Sequence, residues 1–142
     1  MRRSRQRELI RELVASTRSH PTALWVYERA RRRLPRISLG TVYRNLRLLV
    51  GQEILAEHRG GRGPARYEAA LSRHYHIRCV RCGNLEDLRM DYQTALDRRV
   101  NRRTGYRVLE HQIEVRGVCP ACLRRFRGRR KALNLSSTLN SN

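Results

Sequence analysis

Apolar residues recur at helical spacing through the first fifty positions. Leu9, Ile10, Leu13 and Val14 form one stripe, predicting a helix over 5–16 with Ser4 as its cap. Pro21 restricts His20 to extended geometry, placing that histidine in an inter-helix turn. Thr22 caps a second predicted helix through about residue 33, with Val26, Tyr27, Ala30 and Leu34 inward, and Pro35 stops it. Ser38 caps a third, 39–50, whose Leu39, Val42, Leu46 and Leu49 share a face. ILAEHR and ARYEA then flank the turn GGRGP, which reads as a hairpin. Three helices followed by a hairpin predict a winged helix-turn-helix, a fold that presents the helix before the wing to the major groove.

The pattern changes after Leu71. HYHIRCV alternates as a strand, LEDL follows as a short segment, and DYQTALDRRVNRRTG reads as a helix closed by Gly105. VLEHQIEVRGV predicts a long strand, with Leu109, His111, Ile113 and Val115 on one face. The fold class is therefore α+β: a winged helix-turn-helix domain over 1–68, a hinge at 69–73, and a small α/β dimerisation domain over 74–126. Residues 127–142, rich in Ser and Asn without apolar periodicity, are expected to be a disordered basic tail.

Charge sharpens this picture. The chain of 142 residues carries 32 Lys+Arg against 12 Asp+Glu, a formal net charge of +20. Such a chain meets a polyanion more readily than an acidic small molecule. Its apolar runs are too short for a membrane span or a secretory signal, so a cytoplasmic protein without a membrane partner is expected. No nucleophile–base arrangement points to an enzyme.

All four cysteines fall in two C-x-x-C pairs, Cys79/Cys82 and Cys119/Cys122. Two such knuckles supply four thiolates for a closed, structural Zn²⁺. The rival is a thiol redox enzyme, but the thioredoxin-like βαβ context is missing. His74 and His76 share a strand face by their i, i+2 spacing, with Glu68 and the pair Glu86-Asp87 close in sequence. Imidazoles mixed with carboxylates suit Fe²⁺, Mn²⁺ or Zn²⁺.

HPTALWVYERARRRLPRISLGTVYRNLRLLV, RYE, HYHIRCVRCG and GYRVLEHQIEVRGVCPAC together resemble the ferric uptake regulator family of metal-dependent repressors, over about residues 4–125. The resemblance implies a homodimer that binds double-stranded operator DNA, with a regulatory metal at the hinge. It places the regulatory ligands on His20, Glu68, His74, His76 and Asp87. This set is nearest the peroxide-sensing branch, in which ferrous iron oxidises a ligating histidine. Glu68 with Asp87 departs from that branch, which has Asp at both positions, and from the iron-sensing branch, which has Glu. Arg73 and Tyr75 stand where iron sensors carry ligands of an extra His-rich site, and the additional Cys common in zinc sensors is missing. Fe²⁺ or Mn²⁺ as regulatory ion, with a peroxide response, therefore ranks above a zinc or nickel sensor. A non-specific zinc-ribbon protein binding RNA is the alternative from another class.

On the third helix, Tyr43 and Arg44 are candidates for base edges, and Thr41, Asn45 and Arg47 for phosphates; Arg62 at the wing tip is a candidate for the backbone or minor groove. Trp25 is expected to pack, His58 to lie on the surface, and His111 to serve a hydrogen-bonded structural role.

Overall fold

A computed structural model describes residues 2–61, 63–69 and 73–127, with side chains from residue 5 onward. Arg62, most of the expected hinge and all but the first residue of the expected tail lie outside the described residues.

Helix α1 spans Arg2–Ala15, so Ser4 lies inside it rather than at its start. Helix α2, Ala23–Arg33, begins where Thr22 accepts the Trp25 amide on its side chain. Helix α3, Leu39–Gly51, begins in the same way at Ser38, which accepts the Thr41 amide. Each cap satisfies an amide that has no partner within its helix. Leu9, Ile10, Leu13 and Val14 of α1 meet Val26 and Ala30 of α2 and Val42, Leu46 and Leu49 of α3 in one core. Trp25, Tyr27 and Leu34 pack at its margin, and the Arg29 guanidinium lies 3.9 Å above the Trp25 ring.

Strands β1 (Leu55–His58) and β2 (Arg66–Ala69) pair antiparallel as the hairpin and add Leu55 and Tyr67 to that core. A separate three-stranded sheet has β3 (Tyr75–Cys79) at its centre, flanked by antiparallel β4 (Leu85–Leu88) and parallel β5 (Glu114–Gly117). Helix α4, Thr94–Thr104, connects them and ends at Gly105, whose φ of 73° is the left-handed cap that glycine adopts without a Cβ penalty. Residues 120–127 form a final helix.

Two further expectations are corrected. Of the expected long strand only Glu114–Gly117 forms, because β3 runs beside the chain only there. Its N-terminal stretch has no neighbouring strand and is held by separate bonds instead: the Val108 and His111 amides donate to Asn101 Oδ1 and Tyr92 Oη, and the His76 amide donates to the Ile113 carbonyl at 3.1 Å. His20 is not extended: its φ is 49°, in the left-handed region, at a cost of about 1–3 kcal/mol. Hydrogen bonds across to β2 oppose that cost. Arg66 Nη1 donates to the His20 carbonyl at 3.2 Å, and the Tyr67 amide donates to the Pro21 carbonyl at 3.0 Å. The turn is thereby fixed to the wing.

Candidate metal centres

That attachment aims the His20 ring at the next outward position of β2, which is Glu68. His20 Nε2 lies 3.1 Å from Glu68 Oε2, with the His20 side chain only 1% exposed. The other sheet supplies the opposite wall. His74 immediately precedes β3, and His76 follows two positions later on the same face. The β3–β4 register sets Asp87 directly opposite His76, while Glu86 pairs with Ile77 and takes a hydrogen bond from Asn84 instead. Cross-strand pairing thus selects Asp87 from the two adjacent acids.

The five groups converge. His20 Nε2 is 3.1 Å from Asp87 Oδ1, and His74 Nε2 is 3.1 Å from Glu68 Oε2 and 3.2 Å from Asp87 Oδ1. His76 Nε2 is 3.3 Å from Glu68 Oε1. One donor atom from each of His20, Glu68, His74, His76 and Asp87 lies within 4.8 Å of all the others. Separations near 3.1 Å are about what adjacent ligands span on one ion held at ~2.1 Å, so the set fits a divalent cation with nitrogen and oxygen ligands. Burial alone would raise the Glu68 carboxyl. Hydrogen bonds from His20, His58 and His76 outweigh burial and hold it far below the usual carboxylate range, in the form that binds cations.

The four cysteines form a second cluster, again with one donor each within 4.8 Å, and none is in a disulfide. Cys82 Sγ and Cys119 Sγ are 3.8 Å apart, about the edge of a tetrahedron of sulfurs ~2.3 Å from zinc. The Cys119 amide donates to Cys79 Sγ at 3.3 Å. That donation, with another from the Cys82 amide, lowers the Cys79 thiol to about 6. Cys122 is pushed up to about 12, chiefly by its hydrogen bond with Cys119 and then by burial.

On α3, Tyr43, Arg44 and Arg47 are exposed and Thr41 is half-buried. Asn45 departs from expectation: it is 5% exposed and its side-chain amide donates to the Thr41 carbonyl at 2.8 Å, so the helix itself occupies it. His111 is held by Tyr75 and Asp97, and its amide donates to Tyr92 Oη, consistent with a structural role. His58 is not a surface residue. Its Nε2 lies 2.7 Å from Glu68 Oε1 with the ring largely covered. The i, i+10 spacing of His58 and Glu68 across a Gly/Pro-rich turn was the available signal, but it reveals a pair only once the hairpin register is known.

The profile of the ferric uptake regulator family matches residues 1–116. The chain belongs to that family. As a member of this family it is a metal-sensing transcriptional regulator, and it is 32% identical over 117 residues to the peroxide-responsive repressor PerR of Staphylococcus aureus, covering 82% of this chain and 79% of that one. Among solved structures, a zinc-bound manganese uptake regulator is 30% identical with a TM-score of 0.61, over 80% of this chain and 87% of that one. The Helicobacter pylori ferric uptake regulator, at 21% identity, shares the fold with a TM-score of 0.76 over 84% of this chain and 80% of that one. No helix among the described residues of this regulator is long and apolar enough to cross a membrane.

Proposed function

We propose that this chain is a homodimeric repressor that binds palindromic double-stranded operator DNA when Fe²⁺ or Mn²⁺ occupies the site formed by His20, Glu68, His74, His76 and Asp87. The reading rests on one observation: five donors, two from the helical body with its wing and three from the separate three-stranded sheet and its entry, converge within 4.8 Å. His20 and Glu68 belong to the helical body of α1–α3 and the wing, which takes the role of DNA-binding domain over 1–68. His74, His76 and Asp87 belong to the three-stranded sheet of a dimerisation domain over 74–126, joined through a hinge at 69–73. An ion held by all five supplies a cross-link between the two. Without it, rotation at the hinge is opposed by weaker contacts, the hydrogen bonds between imidazoles and carboxylates and the packing of the His20 and His58 rings on that of His76. A fixed angle sets the spacing of the two α3 helices across the dimer, and metal and DNA affinity become reciprocally coupled.

Tyr43 and Arg44 then face base edges, with Thr41 and Arg47 at the backbone. The case for a second copy is the uncovered apolar surface of the dimerisation domain. Helix α4 buries none of its residues, and Tyr106 and Leu109 are 76% and 75% exposed. Cys79, Cys82, Cys119 and Cys122 hold structural Zn²⁺, and the protein works in the cytoplasm without catalytic turnover.

Three nitrogen and two oxygen donors suit Fe²⁺, Mn²⁺ or Zn²⁺ by type, but five ligands exceed the four of an ordinary zinc site, which points to Fe²⁺ or Mn²⁺. The likeness to a peroxide-responsive repressor adds peroxide as a signal, read out as oxygen incorporated into a ligating histidine (His20, His74 or His76) of the Fe²⁺-loaded protein but not the Mn²⁺-loaded one.

The test is DNA binding by the zinc-loaded protein, using a palindromic duplex selected from a random pool. Mn²⁺ should raise the affinity of the wild type at least tenfold and leave His74→Ala unaffected, with zinc content equal in both. Binding indifferent to Mn²⁺ and to chelator would contradict the reading and favour a non-specific nucleic-acid binder.

A further inference from the structure

Glu68 has two oxygens, and they face different surroundings. Oε2 points into the cluster, 3.1 Å from both His20 Nε2 and His74 Nε2. Oε1 points toward the wing, where His58 Nε2 approaches to 2.7 Å, closer than the nearest of the four other clustered groups, His76 at 3.3 Å. We propose that His58 is the positioning residue of the regulatory metal site: its Nε2–H holds the outer oxygen of Glu68 so that the inner one meets the ion. The inference rests on the metal reading given above.

The sequence dictates this contact through the hairpin. Glu68 is paired with Ala56, and His58 lies two residues further along β1 on the same face. Diagonal neighbours of this kind are within reach of a long side chain. The His58 ring is packed 4.3 Å from the His76 ring and 6.0 Å from that of His20, centroid to centroid, which limits its freedom to turn away. Its nitrogens lie outside the set of donors that all fall within 4.8 Å of one another. His58 therefore acts on the ion through Glu68 and not as a sixth ligand.

The consequence is geometric. A carboxylate bound through one oxygen needs its other oxygen restrained, or it rotates toward a two-oxygen contact and the remaining donors lose their arrangement. Outer groups that orient a ligand typically contribute 10–100-fold to metal affinity. The same bond ties the site to the strand leading into the wing turn.

The experiment uses the full chain loaded with zinc and freed of other metal, titrated with Mn²⁺ while free Mn²⁺ is read by electron paramagnetic resonance. His58→Ala should weaken Mn²⁺ binding 10–100-fold. His58→Gln, which keeps a donor at about the Nε2 position but is a poor ligand, should remain within about threefold of wild type. Zinc content should be unchanged in both, and both Mn²⁺-free variants should keep the circular-dichroism spectrum of the folded wild type. Wild-type affinity in His58→Ala overturns the proposal. So does His58→Gln binding as weakly as His58→Ala, which would make His58 a ligand or a packing residue. His74→Ala serves as the reference. If it loses Mn²⁺ while His58→Ala does not, the metal site stands and only the role of His58 falls. A wild type that takes up no Mn²⁺ overturns both.

Discussion

His20 Nε2 and Asp87 Oδ1 lie 3.1 Å apart, although one belongs to a turn fixed to the wing and the other to a strand of the separate three-stranded sheet. Through this pair the two bodies touch at the site itself. Removing Asp87 leaves four donors and an exposed opening, since its side chain is the most solvent-accessible of the five. Asp87→Ala should therefore lose at least tenfold of the Mn²⁺-dependent gain in DNA affinity while retaining zinc. Parallel DNA-binding and zinc assays check both halves of that statement.

A second tie between elements is the pair Arg78–Glu114, where Arg78 Nε donates at 2.8 Å and Nη2 at 3.1 Å to the two carboxylate oxygens. Arg78 is buried, so its guanidinium depends on this partner. Glu114→Gln should cost about 1.5–3 kcal/mol in urea unfolding. The sign with pH follows from the lowered Glu114 carboxyl, held down chiefly by its hydrogen bonds from Arg78. A depressed carboxyl contributes stability above its ordinary range and loses that contribution as pH falls through its folded value. Glu114→Gln should accordingly flatten the acid side of the stability profile.

The thiols give a direct titration. In metal-free protein, Cys79 lowered to about 6 favours the thiolate at neutral pH, while Cys122 pushed up to about 12 keeps its proton. The thiolate of Cys79 stabilises the fold fully above pH 9.0, its ordinary value, and that contribution fades as pH falls to about 6. Ultraviolet thiolate absorbance should show one low step that vanishes in Cys79→Ser. With zinc bound, no step should appear in that interval.

Stability and reading should separate on α3. Leu46, fully buried in the helical core, should cost about 2–5 kcal/mol as Leu46→Ala. Arg44, exposed on the opposite face, should leave the unfolding midpoint within about 0.5 kcal/mol as Arg44→Ala. Its DNA affinity should nonetheless fall by about 1–3 kcal/mol on the selected duplex.

Much of this was readable in the chain because local chemistry governed it. Ser38 and Thr22 mark helix starts through bonds spanning three residues, and the C-x-x-C pairs carry their geometry in their spacing. The i, i+2 histidines likewise followed from strand periodicity alone. What was hidden depends on partners distant in sequence. Alternation over VLEHQIEVRGV suggests a long strand, but a strand needs a neighbour, and β3 reaches only Glu114–Gly117. Pro21 restricts His20 locally, yet Arg66 holds the carbonyl of His20 in a turn with positive φ. His58 looked like a wing surface residue because nothing near it in sequence shows that Glu68 folds back beneath it. Asn45, set among exposed helix positions, turns inward to bond its own helix.

In the proposed mechanism one ion joins the two bodies of each subunit and fixes their angle. Small-angle X-ray scattering of the zinc-loaded protein, with and without Mn²⁺, tests this most directly. Mn²⁺ should shrink and narrow the distance distribution of the wild type and leave that of His74→Ala unchanged. Identical curves for wild type with and without saturating Mn²⁺ would contradict the account.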